Sequence, residues 1–473
     1  MREFDVVVVG AGPAGTAAAL RAGDLGAKTA LVTRGAFGGM AANEGPIPVR
    51  VLAHAARLAR EARQLGQYGI RVEHPSLDYA RLLERAREVV GEARRHSTLL
   101  EQVKKAGVEL FEHAGVAEFE DDRTIRSASG PTLYGERIVI CSGGVSRKLD
   151  VPGAELTVTP ADAFSLTAVP KSTIVIGAGA TGAQVASIFN ALGSSVTICQ
   201  AGPRIIASED AEISDAVAAA FREDGIAIYQ GFGAIERIDP AAEGVVVTLA
   251  GAPHRRLEAE LVVCAIGWSA DTEALKPQRA GVTFDARGFI EVDDLLRTSA
   301  PHIYAAGDVI GRSMLVPPAV RDGFIAGNNA AGAEPRTVPS GVEPIGSFTD
   351  PEYAKVGLTE EQARGQCDAI VSHASYAETT RPIIDGRSRG FCKLVIDRDT
   401  RRFLGCHIVG ERAVEVAQMA AIAMIAGMTV DEVARIPLSF PTYANVFGRA
   451  ALRAVRNLAP APASSFDPLS FSI

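Results

Sequence analysis

The chain has 473 residues, which is too long for one ordinary hydrophobic core and predicts about three domains. Hydrophobic residues make up 47% of it and charged residues 22%, a composition typical of a globular protein rather than a disordered one. The net charge of −8 argues against nucleic acid as a partner, because phosphate binding requires clustered positive charge.

Membrane and metal functions are not expected either. No run of about 18 apolar residues lacks a charge, a glycine or a proline, so we expect no membrane span. The N-terminal apolar run is broken by glycine and proline and overlaps a nucleotide-binding pattern, so we expect no secretory signal. The six cysteines and eight histidines show no metal-binding spacing, and scattered cysteines without a CxxC pattern favour a cytoplasmic location.

The first predicted unit is "FDVVVVGAGPAGTAAALRAGDLGAKTALV", residues 4–32. A β-branched strand is followed by GxGxxG, a helical stretch and a second strand, which together predict a βαβ dinucleotide-binding unit. Gly10 permits the tight turn, Gly12 lets the backbone approach a pyrophosphate, and Gly15 lets helix and strand pack closely. The N–H groups at the helix N-terminus then attract the phosphates.

The next region combines a helix with strand-like pieces. The stretch 78–94 predicts an amphipathic helix, whose apolar face comprises Tyr79, Leu82, Ala86, Val89 and Ala93. Cys141 in "RIVICSGG" and Cys264 in "LVVCAIG" lie within strand-like runs, so we expect them to be small buried residues.

The βαβ pattern occurs a second time at 172–199, with Gly177, Gly179 and Gly182 in the glycine positions. Both copies lack the acidic residue that would end the second strand and bind ribose hydroxyls, since Thr33 and Gln200 occupy those places. In the second copy this also removes a charge that would repel a 2′-phosphate, and Arg204 is close in sequence. The choice between NADH and NADPH stays open.

Strand and turn patterns return from about residue 277, and from about 340 strands alternate with an apolar helix at 414–428. We therefore predict an α/β fold with two Rossmann-like dinucleotide-binding domains and a C-terminal α+β domain. The first domain comprises 1–150 and 277–338, the second 151–276, and the third 339–473. The Pro- and Ser-rich tail at 459–473 is expected to be mobile or to lie on a neighbouring molecule.

Several further stretches resemble the pyridine nucleotide–disulfide oxidoreductase family. "TSAPHIYAAGDVIG" (298–311) is similar to its second FAD signature, in which the aspartate matching Asp308 holds the ribityl chain. "ICSGG" (140–144) resembles the short turn between its FAD and NAD domains. The stretches 348–360 and 403–416 resemble its dimerisation domain.

This resemblance implies FAD and either NADH or NADPH as cofactors, and a homodimer formed through about 340–455. The implied FAD-binding residues are Gly10, Gly12, Gly15, Thr33, Ser142, Gly143 and Asp308. The implied NAD(P)-binding residues are Gly177, Gly179, Gly182, Gln184, Gln200, Arg204 and Gly267.

The chain departs from the family where the redox-active cysteine pair is expected. In "GGMAANEGPIPVR" (38–50), Ala41 replaces the cysteine that exchanges with disulfide substrates, and Pro46 replaces the cysteine that contacts the flavin. The remaining substitutions affect the flavin lysine, its glutamate partner and the C-terminal His–Glu base; the residues present are Arg50, Gln184, Phe440 and Asn445. A disulfide relay needs a thiolate and a base, so disulfide reductase activity is not expected.

The roles of the substituted residues remain alternatives. Arg50 can steady reduced flavin or form a structural ion pair, and Phe440 can line an apolar acceptor pocket with Ala41 and Pro46 or fill a vacated cavity. His302 and His407 are expected to be packing or surface residues rather than catalysts.

Three functions follow from these features. The first is an FAD-dependent NAD(P)H oxidoreductase that reduces a non-disulfide small-molecule acceptor such as a quinone. The second is a soluble pyridine nucleotide transhydrogenase, which needs one nicotinamide site used twice. The third is a non-catalytic flavoprotein subunit.

Overall fold

The computed structural model describes residues 1–72, 76–250, 255–339 and 341–458, so the predicted tail at 459–473 lies outside the described residues. The chain forms two compact units. Unit 1 comprises Met1–Leu52, Asp78–Arg147 and Gly267–Ser340, and unit 2 comprises Ala53–Leu77, Lys148–Ile266 and Gly341–Ile473.

The α-helices and β-strands of the described residues are numbered in chain order. The strands are β1 (Arg2–Val9), β2 (Thr29–Val32), β3 (Glu109–Phe111), β4 (Ala117–Phe119), β5 (Thr124–Ser127), β6 (Thr132–Ile140), β7 (Gly144–Ser146), β8 (Ser172–Ile176), β9 (Ser195–Gln200), β10 (Ala227–Gln230), β11 (Ile235–Ala241), β12 (Gly244–Leu249), β13 (Arg255–Ala259), β14 (Leu261–Cys264), β15 (Trp268–Ala270), β16 (Ile303–Ala305), β17 (Ile345–Ser347), β18 (Tyr353–Gly357), β19 (Ala369–Ser375), β20 (Phe391–Asp397) and β21 (Phe403–Val409). The helices are α1 (Pro13–Asp24), α2 (Gly39–Asn43), α3 (Pro46–Gln64), α4 (Tyr79–His96), α5 (Leu99–Lys105), α6 (Pro160–Ala163), α7 (Ala180–Ala191), α8 (Ala211–Glu223), α9 (Val316–Ala330), α10 (Glu360–Arg364), α11 (Thr380–Ile384), α12 (Ala413–Ile425), α13 (Val430–Ala434) and α14 (Asn445–Leu458).

Unit 1 is built on a sheet with the order β3-β2-β1-β6-β5-β4, in which β16 also pairs with β6. Strands β3, β2, β1, β6 and β16 are parallel to one another. Strand β5 is antiparallel to β6, and β4 is antiparallel to β5. The valine run of β1 is buried, as expected for a central parallel strand covered on both faces. This sheet directs the loop after β1 towards one edge, where the first GxGxxG pattern lies.

Helices α1 and α9 pack unusually closely in unit 1. A Cβ on Gly323 would lie 2.0 Å from the Ala14 carbonyl oxygen, and one on Gly327 would lie 2.2 Å from that of Ala18. Only glycine allows this approach, because any side chain would overlap the backbone of α1. The close contact fixes the first helix after the nucleotide turn.

Unit 2 contains a second parallel sheet, with the order β10-β9-β8-β14, beside an antiparallel sheet of β11, β12 and β13. Its C-terminal part is a five-stranded antiparallel sheet, β17-β18-β21-β20-β19, with α12 and α14 in the same hydrophobic core. The predicted α/β fold is confirmed, and so is the alternation of strands with an apolar helix after 340.

Several local predictions are also confirmed. Helix α4 begins after Asp78, whose side chain accepts a hydrogen bond from the Arg81 N–H, and Tyr79 and Ala86 on its apolar face are buried. Cys141 and Cys264 are buried. In the part of the chain that the structure describes, no helix is long and apolar enough to cross a bilayer.

A buried carboxyl group in unit 2 provides a test of the C-terminal packing. Burial, together with the neighbouring carboxylates of Glu411 and Glu415, raises the pKa of Glu352 to about 7. A carboxyl group with a raised pKa in the folded state stabilises the fold below its unfolded pKa of about 4.3, and this contribution disappears as the pH rises through 7.

We therefore expect Glu352→Gln, which stays uncharged, to gain stability relative to the wild type by about 2–4 kcal/mol between about pH 5 and about pH 8. Thermal unfolding midpoints across that range measure the difference. Glu84→Gln, on the exposed side of α4, controls for the loss of one carboxylate. A constant difference between wild type and Glu352→Gln at every pH would contradict the prediction.

Candidate flavin and nucleotide sites

The first glycine turn follows β1 in unit 1. Gly10 has a φ of +103°, and a Cβ there would lie 2.1 Å from the Cys141 carbonyl oxygen. A Cβ on Gly15 would lie 1.7 Å from the Gly10 carbonyl oxygen, so α1 crosses the turn at backbone contact distance. Gly12 is the residue before α1, and a Cβ there would meet no atom of the chain within 4 Å. The turn therefore leaves open space beside the exposed N–H groups of α1, which suits an anionic phosphate.

Two polar groups in unit 1 lack partners where a flavin nucleotide would need them. Asp308 begins a short 3-10 helix, and burial raises the pKa of its carboxyl group. Among the residues that the structure describes, none donates a hydrogen bond to this carboxylate. Its Cβ lies 3.4 Å from the Cβ position of Gly144, and the buried Ser142 hydroxyl likewise has no hydrogen-bond partner in the described chain. These residues fit an FAD, whose ribityl and phosphate oxygens would satisfy them.

The position after β2 that is expected to bind ribose holds a threonine instead of an acidic residue. Thr33 follows β2 and is buried; its N–H donates to the Phe111 carbonyl oxygen and its carbonyl accepts from the Ala114 N–H. Gly143, in the turn after β6, has a φ of +86°, and a Cβ there would meet nothing within 4 Å.

The segment that replaces the cysteine pair begins directly against the first glycine turn. The Gly38 N–H donates to the Ala11 carbonyl oxygen at 2.9 Å, and a Cβ on Gly39 would lie 2.7 Å from the Gly12 Cα. Ala41 lies in α2, immediately beyond this contact. The Gly38–Gly39 pair was not among the predicted site residues, although adjacent glycines beside a fingerprint are a recognisable sign of close backbone approach.

Pro46 is the first residue of α3, and Arg50 lies one helical turn further on, on the same side of the helix. Proline suits the first turn of a helix, where its missing N–H costs no hydrogen bond. A proline and an alanine thus occupy the two positions where the family resemblance led us to expect the reactive cysteines.

The second glycine turn, in unit 2, repeats the geometry of the first. Gly177 has a φ of +92° and its Cβ position lies 2.5 Å from the Ala265 carbonyl oxygen, while that of Gly182 lies 1.9 Å from the Gly177 carbonyl oxygen. Gly179 precedes α7, and a Cβ there would meet nothing within 4 Å. The side-chain Nε2 of Gln184, on α7, is buried and has no hydrogen-bond partner among the described residues. This turn has the features of a second dinucleotide site.

Gln200 ends β9 and turns its side chain towards the glycine turn. Its Oε1 accepts a hydrogen bond of 2.9 Å from the Ala178 N–H. The Ala178 carbonyl oxygen in turn accepts a 2.6 Å hydrogen bond from the Ile206 N–H. The backbone φ of Ile206 is +39°. Ile206 was not predicted as a site residue, because no sequence pattern indicates such a backbone conformation for an isoleucine.

Two further residues are predicted to bind the second nucleotide, and they fall in different units. Arg204 is half-buried, and one of its terminal nitrogens donates to the Ala207 carbonyl oxygen at 3.4 Å. Gly267 belongs to unit 1, where it precedes β15 and has a φ of +112°.

The C-terminal segment that replaces the His–Glu base lies in unit 2. The Phe440 side chain is 55% exposed, so it does not fill a cavity within its own chain. Asn445 begins α14, and its Oδ1 accepts a 2.9 Å hydrogen bond from the Thr442 N–H, which fixes the turn between them. The Tyr443 hydroxyl donates to Asp385 Oδ2 at 2.8 Å.

A polar cavity of about 260 Å³ adjoins this segment in unit 2. It is lined by Arg57, Arg381, Asp385, Arg412, Pro441, Thr442 and Tyr443. Its arginines already contact carboxylates: Arg57 lies 2.7 Å from Glu411, and Arg381 lies 2.8 Å from Asp385. The cavity is therefore an ion-paired region of the C-terminal domain.

The two histidines expected to be packing or surface residues each lie within hydrogen-bond distance of a backbone carbonyl oxygen. His407 is fully buried, and its Nε2 lies 2.8 Å from the Leu358 carbonyl oxygen. His302 Nε2 lies 2.8 Å from the Asp122 carbonyl oxygen. Across the described ranges, no group of three or more His, Cys, Asp or Glu residues is arranged to hold a metal ion.

Two family descriptions match the chain. The pyridine nucleotide-disulphide oxidoreductase domain matches residues 4–323, and the dimerisation domain of the same family matches residues 344–451. Together they account for most of the described chain.

Individual relatives agree with this assignment. The chain is 32% identical over 468 residues to dihydrolipoyl dehydrogenase of Chlorobaculum tepidum, covering 96% of this chain and 98% of the relative. It is 32% identical over 464 residues to a soluble pyridine nucleotide transhydrogenase of Mycobacterium bovis, covering 96% and 97%. It is 30% identical over 434 residues to mercuric reductase of Staphylococcus aureus, covering 91% and 78%.

A solved structure has the same fold. The HOCl-induced flavoprotein disulfide reductase RclA from Escherichia coli superposes with a TM-score of 0.84 at 26% identity, covering 95% of this chain and 99% of that one. The two glycine turns, the unpartnered Asp308 carboxylate and the C-terminal antiparallel sheet therefore have a common explanation. The chain belongs to the pyridine nucleotide-disulphide oxidoreductase family of FAD- and NAD(P)H-dependent oxidoreductases.

Proposed function

We propose that this protein is an FAD-dependent NAD(P)H oxidoreductase that passes electrons to a non-disulfide small-molecule acceptor, of which a quinone is the leading example. The observation that carries the proposal is the pair Ala41 and Pro46, which stand where the family places its two reactive thiols. Neither side chain can form a mixed disulfide or a charge-transfer thiolate. FAD, when bound, supplies the two-electron chemistry, accepting a hydride from NAD(P)H and passing the electrons on.

The cysteines that the chain does contain support the same conclusion. In the described chain no cysteine forms a disulfide bond, and burial raises the pKa of the Cys141 and Cys199 thiols to about 12. Cys392 and Cys406 are fully buried within the C-terminal sheet. Burial therefore makes the Cys141 and Cys199 thiols poor nucleophiles, and no cysteine of the chain lies in the 38–50 segment, where the family places its reactive pair.

The chain's own residues have limited roles in this proposal. Gly12 and Gly179 leave room for the two pyrophosphates, and the N–H groups of α1 and α7 attract them. Asp308 accepts hydrogen bonds from the flavin nucleotide's hydroxyls. Phe440 and Asn445, on the dimerisation domain, are expected to line the acceptor pocket of the other subunit in a homodimer.

A soluble transhydrogenase is a second candidate, favoured by the 32% identity over 464 residues to such a protein from Mycobacterium bovis. In that function NADH and NADP would use the same face of the flavin in turn. Gln200 is consistent with dual use, since it lacks the carboxylate that would repel a 2′-phosphate.

The two open glycine positions provide a matched test of the cofactor sites. We expect Gly12→Val to purify without FAD, because the new side chain would occupy the space beside α1. We expect Gly179→Val to retain FAD but to bind NAD(P)H at least about tenfold more weakly. Apart from the adjoining residues, no atom of the described chain would lie within 4 Å of either Cβ, so both variants should fold. Flavin absorbance and the dependence of flavin reduction on NAD(P)H concentration measure the effects; the reverse pattern would refute the assignment.

Thiol chemistry should be irrelevant to turnover. We expect iodoacetamide to leave quinone reduction nearly unchanged, and lipoamide, glutathione disulfide and Hg(II) to be poor acceptors, because no thiol lies in the 38–50 segment. Cys367→Ser, which removes the only described cysteine that is not buried, serves as the control. Loss of acceptor reduction on alkylation of one cysteine would overturn the proposal.

The position of Ala41 separates the two candidate functions. We expect Ala41→Phe to obstruct acceptor entry on the face that thiols occupy elsewhere in the family, while nicotinamide access on the opposite face stays open. Flavin reduction by NAD(P)H should keep its wild-type rate, whereas quinone turnover should fall by about tenfold or more, equivalent to about 1.4 kcal/mol of transition-state stabilisation. Hydride transfer from NADH to an NADP analogue should survive.

Rapid-mixing and steady-state assays measure these rates. Ala80→Phe, on the exposed side of α4, is the control for the added ring. Unchanged quinone turnover in a folded Ala41→Phe variant would show that electrons leave elsewhere, and the absence of quinone turnover in the wild type would leave the transhydrogenase function as the better explanation.

A further inference from the structure

A buried lysine in the C-terminal sheet contacts the segment that follows β9. Lys393, on β20, has a side chain only 2% exposed. Its Nζ lies 2.9 Å from Asp210 Oδ1, 2.6 Å from Glu212 Oε1 and 2.7 Å from Glu360 Oε2. A charged group at this depth requires such partners, because burial without them costs several kcal/mol.

A second lysine reinforces the contact. Lys355, on β18, donates to the Ser208 carbonyl oxygen at 2.6 Å and lies 3.0 Å from Glu209 Oε1. Two strands of the C-terminal sheet, β18 and β20, which lie on either side of β21, therefore hold the consecutive residues 208–210 through charged hydrogen bonds, which are among the strongest in proteins.

The same segment carries the residue that braces the second glycine turn. Ile206, two residues before Ser208, donates its N–H to the Ala178 carbonyl oxygen at 2.6 Å. Ala178 lies between Gly177 and Gly179, so this hydrogen bond acts on the turn that would hold the nucleotide's pyrophosphate.

The backbone at Ile206 is strained, with a φ of +39° in a β-branched residue. Such a conformation persists only where the surroundings enforce it, and it is typical of functional sites. The contacts of Lys355 and Lys393 hold the chain on the C-terminal side of Ile206. The residue before Ile206 is held as well, because the buried Ser214 hydroxyl donates to the Ile205 carbonyl oxygen at 2.7 Å.

We infer that Lys393 and Lys355 are positioning residues for NAD(P)H binding: through residues 206–210 they hold the Ala178 carbonyl, and so the second glycine turn, in its binding geometry. Neither lysine contacts the turn itself. The inference rests on the proposed assignment of this turn to NAD(P)H, and it gives the dimerisation domain a part in nucleotide affinity.

The test compares FAD-loaded variants in rapid mixing with NADH and with NADPH. We expect Lys393→Met to raise the dissociation constant for the nucleotide by about tenfold. Flavin content and the rate of flavin reduction at saturating nucleotide should stay within about twofold of the wild type, since neither lysine touches the reacting atoms. Hydrogen exchange should quicken at residues 177–182 and 204–210.

The control removes an ion pair of the same domain that is remote from the turn. Arg401 pairs with Asp431, both are partly buried, and within the described chain neither is hydrogen-bonded or ion-paired to residues 204–214. Arg401→Gln should lower the unfolding temperature without changing nucleotide affinity. Equal effects of Arg401→Gln and Lys393→Met on nucleotide affinity would show that both variants act only through a general loss of stability, and would overturn the inference.

A further pair of variants decides the matter if Lys393→Met does not fold. Lys355 is 17% exposed and faces one carboxylate, so Lys355→Met leaves fewer unpaired buried carboxylates than Lys393→Met does. Lys355→Arg keeps the positive charge. We expect weaker nucleotide binding in Lys355→Met and wild-type binding in Lys355→Arg. Wild-type affinity in a folded Lys355→Met or Lys393→Met variant would overturn the inference, whereas a wild-type protein that binds no NAD(P)H would refute the nucleotide assignment itself.

Discussion

The architecture depends on one constraint, the backbone contact made where a parallel strand turns into a helix. In both glycine turns a Cβ on the third glycine would overlap the carbonyl oxygen of the first, so that no side chain fits there. This contact aims the helix N-terminus at the open space beside the second glycine. The rest of each nucleotide unit keeps that geometry in place.

The two turns are braced by different means. In unit 1, α9 lies against α1 through Gly323 and Gly327, so apolar backbone packing fixes the helix. In unit 2 the brace is polar, with Gln200 and Ile206 bonded to Ala178 and the following segment held by buried lysines. A packed helix pair leaves little freedom, whereas a hydrogen-bonded loop depends on each of its partners. The second glycine turn is therefore more sensitive to single substitutions than the first.

The 38–50 segment, which we propose lacks the family's reactive thiols, is attached to the first glycine turn by its backbone. Gly38 and Gly39 join it to that turn, and Pro46 begins a long helix that carries Arg50. Under the proposed function this segment lies against the flavin nucleotide's glycine turn without a thiol, which favours an acceptor that takes electrons without forming a bond to sulfur.

The sequence by itself determined the fold and most of the candidate site, because a GxGxxG pattern between a β-branched strand and a helix specifies a local geometry that only glycine can adopt. It also supplied the proposal that the reactive thiols are missing, since Ala41 and Pro46 are read directly in the 38–50 segment. It could not show that Gln200 turns into the glycine turn, that Ile206 is strained, or that Lys393 is buried among three carboxylates. Those features join residues that are far apart along the chain, and their energies depend on burial and exact distances that only the tertiary structure decides.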